Sequence, residues 1–256
     1  MASILILSSH VAASPVGGTA QARVLAALGY ETILAPTVLF GRHPGLGAPG
    51  GGAVSATDFE GMLQGIEASG AYPILSGLIT GYFANPAQII TAAAAIDAAR
   101  LVNPGVKIIV DPIMGDSGKG LYVGEAVADA IAAHLIPRAD LVAPNAWELG
   151  RLTDRNVADT ASALAAARAL GRPVMVSSMP LRDANGVVYA DAVQAWFAGH
   201  RRLPSAPNGT GDRLTAVFAA GWLAGRPPRA ALQAAVTSVA EWVSGAPLDV
   251  AVEAVG

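Results

Sequence analysis

The sequence predicts an α/β fold built around a mostly parallel sheet. Short apolar runs of strand composition alternate with longer alanine-rich segments of helical composition along the chain. Strands separated by helices of about 10–15 residues are typical of βαβ units, in which the strands run parallel. No internal repeat or linker divides the 256 residues, so we expect a single domain over 1–256.

Each predicted element rests on composition and on local start and stop signals. The predicted strands are the short apolar runs 4–7, 32–39, 74–75, 106–110, 141–142 and 174–176, followed by a hairpin of 187–189 and 195–197. The predicted helices are the segments 19–28, 57–69, 86–102, 125–134, 160–171, 211–224 and 229–243. Thr57 and Glu60 have the spacing of a capping box, and Pro86 suits the first turn of its helix. Asp159 or Thr160 caps the helix that follows it.

The charge and composition exclude several functional classes. The net charge is −3 and the 16 lysines and arginines form no basic stripe, so a nucleic-acid partner is not expected. Cysteine is absent, which excludes disulfides, thiolate catalysis and cysteine-bound metals and is compatible with a reducing cytosol. The four scattered histidines form no H-E-x-x-H pair, so no zinc site is expected.

A membrane protein is not expected either. The mean hydropathy is +0.47, but alanine accounts for much of it, and the most apolar stretch, 89–102, is interrupted by Asp97 and Arg100. The start of the sequence lacks the basic residues and the cleavage site of a signal peptide. We therefore expect a soluble cytoplasmic protein.

The segment 208–212, Asn-Gly-Thr-Gly-Asp, carries the strongest chemical signal. It precedes an apolar helical run, so its glycines form a turn at a helix N-terminus, where unpaired backbone N–H groups can hold an anion. Gly209 and Gly211 allow a sharp turn and a close approach by a ligand. Asp212 falls in the first helical turn, where the helix dipole favours a carboxylate. An anion hole beside a carboxylate base suits phosphoryl transfer to a hydroxyl group; the alternative is an aspartate that only caps the helix.

Two acidic residues follow the strand predicted at 106–110. Asp111 and Asp116 begin and end the run Asp-Pro-Ile-Met-Gly-Asp, and a hard cation such as Mg²⁺ would use them there. A turn that starts at Asp-Pro is the alternative. The residues 117–120, Ser-Gly-Lys-Gly, resemble a P-loop, but the glycine spacing and the residue after the lysine do not fit, which excludes a Walker nucleotide site.

Two further loops follow predicted strands. Asn145 can cap the next helix with Glu148 in its first turn, and Ser177 and Ser178 end the strand 174–176. Each pair has an ordinary structural explanation when taken alone. Together with the acidic run and the 208–212 turn, however, they would lie at the carboxyl edge of the sheet, where open α/β proteins bind ligands.

The segment 41–52, GRHPGLGAPGGG, is rich in glycine and proline. It formally contains a G-x-G-x-x-G dinucleotide fingerprint, but Pro49 lies inside it and no helix opens directly at its end, which argues against that function. A mobile flap over a binding site and a disordered surface loop are both compatible with the composition. His43 within it is a candidate ligand contact, although a loop histidine is more often simply solvated.

These motifs together resemble the pyridoxal kinases of the ribokinase-like superfamily, over nearly the whole chain. The matching segments are Ser9-His10-Val11 with Gly17-Gly18, the 111–116 run with 120–123, Pro144-Asn145 with Glu148-Leu149, and 209–212. The resemblance implies a three-layer sandwich with helices on both sides of the sheet, and a homodimer. It also implies ATP- and Mg²⁺-dependent phosphorylation of the hydroxymethyl group of pyridoxal or a related B6 vitamer. A requirement for a monovalent cation stays open.

The resemblance also implies a role for each matching residue. Asp212 would take the proton of the acceptor hydroxyl, and the transferring phosphate would be held by the N–H groups of Gly209, Thr210 and Gly211. Mg²⁺ and the nucleotide phosphates would be organised, partly through water, by Asp111, Asp116 and Glu148. The ATP site would be lined by Tyr122, Asn145, Ser177 and Ser178. Ser9 would contact the pyridine ring.

The chain departs from the family pattern mainly where the ring is expected to bind. Pro44 follows His43 where relatives commonly have Ser-Asn-His-Thr, which removes a hydroxyl and an N–H. Leu78 stands where we place the tyrosine that stacks on the ring, with Tyr82 nearby as a substitute. Ala143 precedes Pro-Asn in place of a common threonine. A hydroxymethylpyrimidine kinase and a non-catalytic B6- or nucleotide-binding protein therefore stay as alternatives.

Overall fold

The computed structural model describes residues 2–179, 181 and 184–256. Its alternating strands and helices confirm the α/β class. They form two compact units, Met1–Met114 with Val123–Ala139 and Gly115–Tyr122 with Asp140–Gly256. Each unit has its own paired strands and its own packed helices, and the single domain over 1–256 stays a prediction.

The first unit contains mainly parallel strands. They are β1 (Ser3–Val11), β2 (Glu31–Phe40), β3 (Gly51–Ala53), β4 (Leu75–Thr80) and β5 (Lys107–Val110). Their order is β5-β4-β1-β2-β3, parallel except for β3, which runs antiparallel to β2. The helices are α1 (Gly17–Ala27), α2 (Ala56–Ala68), α3 (Pro86–Val102) and α4 (Glu125–Ala130), the last continued by a π-helical turn over Ile131–Leu135.

The first apolar run, 4–7, lies in the central strand β1, as predicted. Ile4, Leu5, Ile6 and Leu7 are all fully buried, because β1 is paired on both edges and α1 packs against it. A strand covered on both faces is a continuous apolar run, with no alternation of polar residues.

Capping residues set the helix starts, and one of them differs from the residue predicted from the sequence. Asn85 accepts a hydrogen bond from the N–H of Gln88 (3.0 Å) and Pro86 follows it, so α3 begins where it was predicted. The predicted capping box of Thr57 and Glu60 is wrong. Ser55 is the N-cap of α2, and its hydroxyl accepts the N–H of Asp58 (3.0 Å).

The second unit combines one parallel strand pair with antiparallel strands. They are β6 (Gly115–Asp116), β7 (Gly120–Leu121), β8 (Leu141–Val142), β9 (Val174–Val176), β10 (Ala184–Ala190), β11 (Ala195–Arg201) and β12 (Ala251–Ala254). β6 and β7 form a small hairpin, and the others have the order β12-β11-β10-β9-β8. β8 and β9 are parallel, and each later neighbour is antiparallel. β11 therefore runs in the same direction as β8 and β9.

Helices complete the second unit. They are α5 (Ala146–Thr153), α6 (Thr160–Ala169), α7 (Thr210–Leu223) and α8 (Pro228–Ser244). α5 and α6 contribute Leu149 and Leu164 to a buried cluster with Val176 and Val188 of the strands. α7 packs along α8, and Phe218 of α7 stacks on Tyr189 with ring centroids 5.7 Å apart.

Candidate active site

The turn before α7 has the geometry of an anion-binding helix N-terminus. Gly209 is the N-cap residue and has a left-handed conformation (φ 95°), which favours glycine. The N–H of Arg213 donates to the carbonyl of Gly209 (3.0 Å) and closes the first helical turn. The N–H groups of Thr210 and Gly211 precede this bond, so they have no partner within the helix and can hold an anion.

Gly211 is exposed, and nothing in the fold requires a glycine at this position. Its φ is not positive, and a Cβ added there would meet nothing within 4 Å. Open space in front of a glycine on a helix N-terminus suits the close approach of a ligand. Asp212, the next residue, lies in the first turn and is partly buried, with Oδ1 inaccessible to solvent.

The start of α5 forms a complete capping box. Asn145 accepts the N–H of Glu148 through Oδ1 (2.9 Å), and Glu148 Oε2 accepts the N–H of Asn145 (2.9 Å). Glu148 is only 2% exposed. The predicted helix start is therefore confirmed.

The same two side chains hold the strand β6. The N–H of Gly115 donates to Glu148 Oε1 (3.3 Å), and Asn145 Nδ2 donates to the carbonyl of Gly115 (2.8 Å). Gly115 tolerates no larger residue, because an added Cβ would come 2.5 Å from the carbonyl oxygen of Gly120. Glu148 and Asn145 thus fix the residue before Asp116.

The β6–β7 hairpin carries Asp116 at its start and Tyr122 just beyond its end. Asp116 Oδ1 accepts the N–H of Lys119 (3.1 Å), and Asp116 Oδ2 lies 3.9 Å from Lys119 Nζ. Side chains of Asp116 and Lys119 are 45% and 72% exposed, and Tyr122 is also exposed. All three are therefore accessible to a ligand in solution.

Ser177 continues the parallel strand pair. It bridges Asn145, with its N–H donating to Pro144 (2.9 Å) and its carbonyl accepting the N–H of Ala146 (2.9 Å). Ser178 is exposed and has a left-handed φ of 53°, which is rare outside glycine and asparagine and occurs often at functional sites.

Strand direction places these groups at one edge of the second unit. β8 leads into Asn145, β9 into Ser177, and β11 into the segment that ends at Gly209. Because the three strands run in the same direction, their carboxyl ends lie at the same edge. Asn145 and Ser177 therefore lie at this edge, and the convergence of the 208–212 turn with them stays a prediction.

In the first unit, Ser9 lies near the end of β1. It is 7% exposed, at a shift of the β1–β2 register between Ser8 and His10. Such bulges often re-aim side chains next to active sites. Ser9 packs against Gly17, the first residue of α1. Gly17 has a left-handed φ of 62° and leaves no room for a Cβ. Asp111 follows β5, is 7% exposed and donates its N–H to Thr80 (3.1 Å).

Of the segment 41–52, residues 41–50 form a closed loop between β2 and β3, and the last two lie in β3. The N–H groups of Gly41 and Arg42 donate to Pro49 (both 3.1 Å). His43 Nδ1 accepts the N–H of Gly45 (3.0 Å), and the N–H of His43 donates to the Ser14 hydroxyl (3.2 Å). Its function as a flap stays a prediction.

Three carboxylates, Asp111, Asp116 and Glu148, are predicted to organise Mg²⁺ partly through water. Within the ranges that the structure describes, no group of three or more histidine, aspartate or glutamate side chains could hold a metal ion. An arrangement of Asp111, Asp116 and Glu148 that works partly through water is not tested by this and stays a prediction. Both oxygens of Glu148 accept backbone N–H groups.

Comparisons with known proteins give the family. Residues 80–252 match the phosphomethylpyrimidine kinase family model. A Bordetella avium protein named pyridoxine/pyridoxal/pyridoxamine kinase is 38% identical over 90% of this chain and 81% of its own length. The chain belongs to the pyridoxal kinase family.

Solved structures confirm the fold of this family. Pyridoxal kinase from Entamoeba histolytica superposes with a TM-score of 0.92 at 22% identity and covers 100% of both chains. Pyridoxal kinase from Leishmania donovani, in complex with ADP and pyridoxamine, gives a TM-score of 0.89 at 24% identity over 96% of this chain and 87% of that chain. The ribokinase-like α/β fold predicted from the motifs is therefore confirmed.

The structure places Leu78, predicted to lie in the ring-binding site, in the core. Leu78 lies inside β4 between Leu5 and Ile108 and is 0% exposed, so a ligand cannot touch it. Tyr82, named above as a nearby substitute, follows Ile79-Thr80-Gly81.

Tyr82 lies directly beyond the carboxyl end of β4. Its N–H donates to the Ser8 hydroxyl (3.2 Å), and its carbonyl accepts the Thr37 hydroxyl (2.6 Å). The side chain is partly buried, and this burial raises the pKa of the phenol. The sequence already offered Tyr82 as a substitute for Leu78, and its stacking role stays a prediction.

None of the helices in the described ranges is long and apolar enough to cross a membrane.

Proposed function

We propose that this chain transfers the terminal phosphoryl group of ATP to the hydroxymethyl group of a B6 vitamer and so forms the 5'-phosphate. The observation that carries the proposal is the turn before α7, with an open anion-binding N-terminus at Thr210 and Gly211 directly followed by Asp212. Membership of a kinase family supports the same reaction.

Asp212 acts as the general base. The N-terminal turn of a helix favours an ionised carboxylate, and a carboxylate can take the proton of the hydroxyl as its oxygen attacks phosphorus. The N–H groups of Gly209, Thr210 and Gly211 stabilise the charge on the transferring phosphoryl oxygens.

Residues of the second unit bind the nucleotide. Ser177 and Ser178 supply hydroxyl groups at the edge where β9 ends, and Asn145 and Tyr122 complete the set. Glu148 acts as a positioning residue, because its carboxylate is committed to the N–H groups of Gly115 and Asn145.

Mg²⁺ accompanies the nucleotide in this proposal. It commonly keeps several waters and binds through one or two carboxylates together with substrate phosphates, so a three-carboxylate cluster is not required. The exposed carboxylate of Asp116 fits that mode, with Asp111 acting through water. Bound there, the ion neutralises charge on the phosphates.

Residues of the first unit select the acceptor. Ser9 and His43 offer hydrogen-bonding groups, and Tyr82, in place of Leu78, offers an aromatic ring for stacking. Pro44 has neither the hydroxyl nor the backbone N–H that relatives commonly present. Their loss weakens recognition of ring substituents, so the identity of the acceptor has to be tested.

The test is ADP formation by purified protein with Mg-ATP and, separately, pyridoxal, pyridoxine, pyridoxamine and hydroxymethylpyrimidine. ADP release with a B6 vitamer, and its 5'-phosphate as product, supports the proposal. The name of the matching family model favours hydroxymethylpyrimidine as the second candidate, and faster turnover of that compound would establish it. Vitamer binding without ADP release would instead show a non-catalytic binding protein.

We also propose a cytoplasmic homodimer, as the resemblance implies. Light scattering after gel filtration should give twice the 25.7 kDa mass of the chain, and a monomer would refute it. Assays in potassium, sodium and tetramethylammonium salts test for a monovalent-cation requirement.

A further inference from the structure

The tip of the β6–β7 hairpin holds an exposed lysine. The segment 117–120, Ser-Gly-Lys-Gly, joins the two strands, and the Lys119 side chain is 72% exposed. Its Nζ lies 3.9 Å from Asp116 Oδ2. An exposed ion pair at this distance contributes little to stability, so the ammonium group can leave the carboxylate at small cost.

The hairpin is fixed at its base and adaptable at its tip. Gly115 is held on both sides by Asn145 and Glu148. The tip contains Gly118 and Gly120, and Gly120 has a left-handed φ of 70° and open space where a Cβ would stand. A lysine between two glycines on a fixed base can change its direction while the start of the hairpin stays in place.

The neighbouring basic residue on α7 is committed elsewhere. Arg213 follows Asp212, but its Nε donates to the carbonyl and the hydroxyl of Ser238 in α8 (both 3.1 Å). Its guanidinium also lies over the Trp242 ring, 5.6 Å from the centroid. Arg213 therefore braces α7 against α8, which leaves Lys119 as the candidate basic side chain of the site.

We propose that Lys119 binds the terminal phosphates of the nucleoside triphosphate. When the nucleotide binds, the ammonium group leaves Asp116 and pairs with the phosphate oxygens. Lysine binds phosphate as a point charge and needs no fixed orientation, which suits a side chain on an adaptable tip. This inference rests on the kinase function proposed above.

Lys107 provides a matched control. It is the other lysine of the chain, it is exposed at the start of β5, and it has no part in the proposed site. Nucleotide dissociation constants are measured by calorimetry for the wild type, Lys119→Met, Lys119→Arg and Lys107→Met. ATP, ADP and AMP serve as ligands, at fixed Mg²⁺ and ionic strength.

We expect Lys119→Met to weaken ATP binding about tenfold and ADP binding less, which is the size of one charge-assisted hydrogen bond. AMP binding should not change, Lys119→Arg should keep ATP affinity within about threefold because it retains the charge, and Lys107→Met should bind as the wild type does. Equal ATP affinity in Lys119→Met and Lys107→Met would overturn the proposal. So would an equal loss for ATP, ADP and AMP, since that indicates a structural defect.

A second readout follows the lysines directly. Reductive methylation with ¹³C-formaldehyde labels Lys107, Lys119 and the amino terminus, so few methyl signals arise. Adding ATP should shift the Lys119 signal, identified through Lys119→Arg, and leave the Lys107 signal unchanged. An unchanged Lys119 signal at saturating ATP refutes the inference while the kinase function stands. If the wild type does not bind ATP, both are refuted.

Discussion

Glu148→Gln tests how the hairpin carrying Asp116 is held. In the wild type each carboxylate oxygen accepts one backbone N–H, from Gly115 (3.3 Å) and from Asn145 (2.9 Å). The glutamine amide can accept only one of these and presents its NH₂ to the other. Loss of a buried charge-assisted hydrogen bond then costs about 2–3 kcal/mol.

Thermal unfolding and nucleotide binding measure the effect. For a chain of this size the loss should lower Tm by roughly 4–12 °C. The dissociation constant for ATP should also rise, because the base of the hairpin that carries Asp116 and Lys119 is no longer fixed. Glu60→Gln, at an exposed position of α2, is the matched control and should change stability by less than about 0.5 kcal/mol. If Glu148→Gln melts and binds ATP as the wild type does, the bracing role is wrong.

Three further substitutions test separate parts of the account. Leu78→Tyr should lower stability by about 1–3 kcal/mol through overpacking without improving vitamer affinity, and tighter pyridoxal binding would contradict its place in the core. Gly211→Ala should leave the fold as stable or up to about 1 kcal/mol more stable but reduce kcat at least about tenfold, because the methyl group occupies the phosphate approach; unchanged kcat refutes that reading. Burial, reinforced by the negative charge of Glu67, raises the pKa of Tyr72 to about 12. The stability that the neutral phenol contributes is therefore complete below about pH 10 and is lost as pH rises towards 12. Urea unfolding between pH 8 and 11 should show a weaker alkaline loss in Tyr72→Phe, and an identical pH dependence would contradict this.

Elements with local signals could be predicted from the sequence. The helix at 86–102 was placed correctly, because Asn85 and Pro86 act on backbone within a few residues of themselves. The strand β3 at Gly51–Ala53 was missed, because glycines have little strand preference and only pairing with β2 makes the segment extended.

The candidate site also contains features that local sequence predicts and features that it does not. The capping box of Asn145 and Glu148 follows from a spacing of three residues, so it could be predicted. Its contacts with Gly115 join residues 30 or more positions apart and carry no sequence signal. The burial of Leu78 could not be predicted either, because it depends on pairing of β4 with both β1 and β5.

The central claim is that Asp212 is the base for phosphoryl transfer. Asp212→Asn removes the proton acceptor but keeps the size of the side chain and the N–H groups of the turn. In a Mg-ATP assay with the best vitamer, kcat should fall at least about 100-fold, while the dissociation constant for ATP stays within about threefold. Turnover close to that of the wild type would contradict the account.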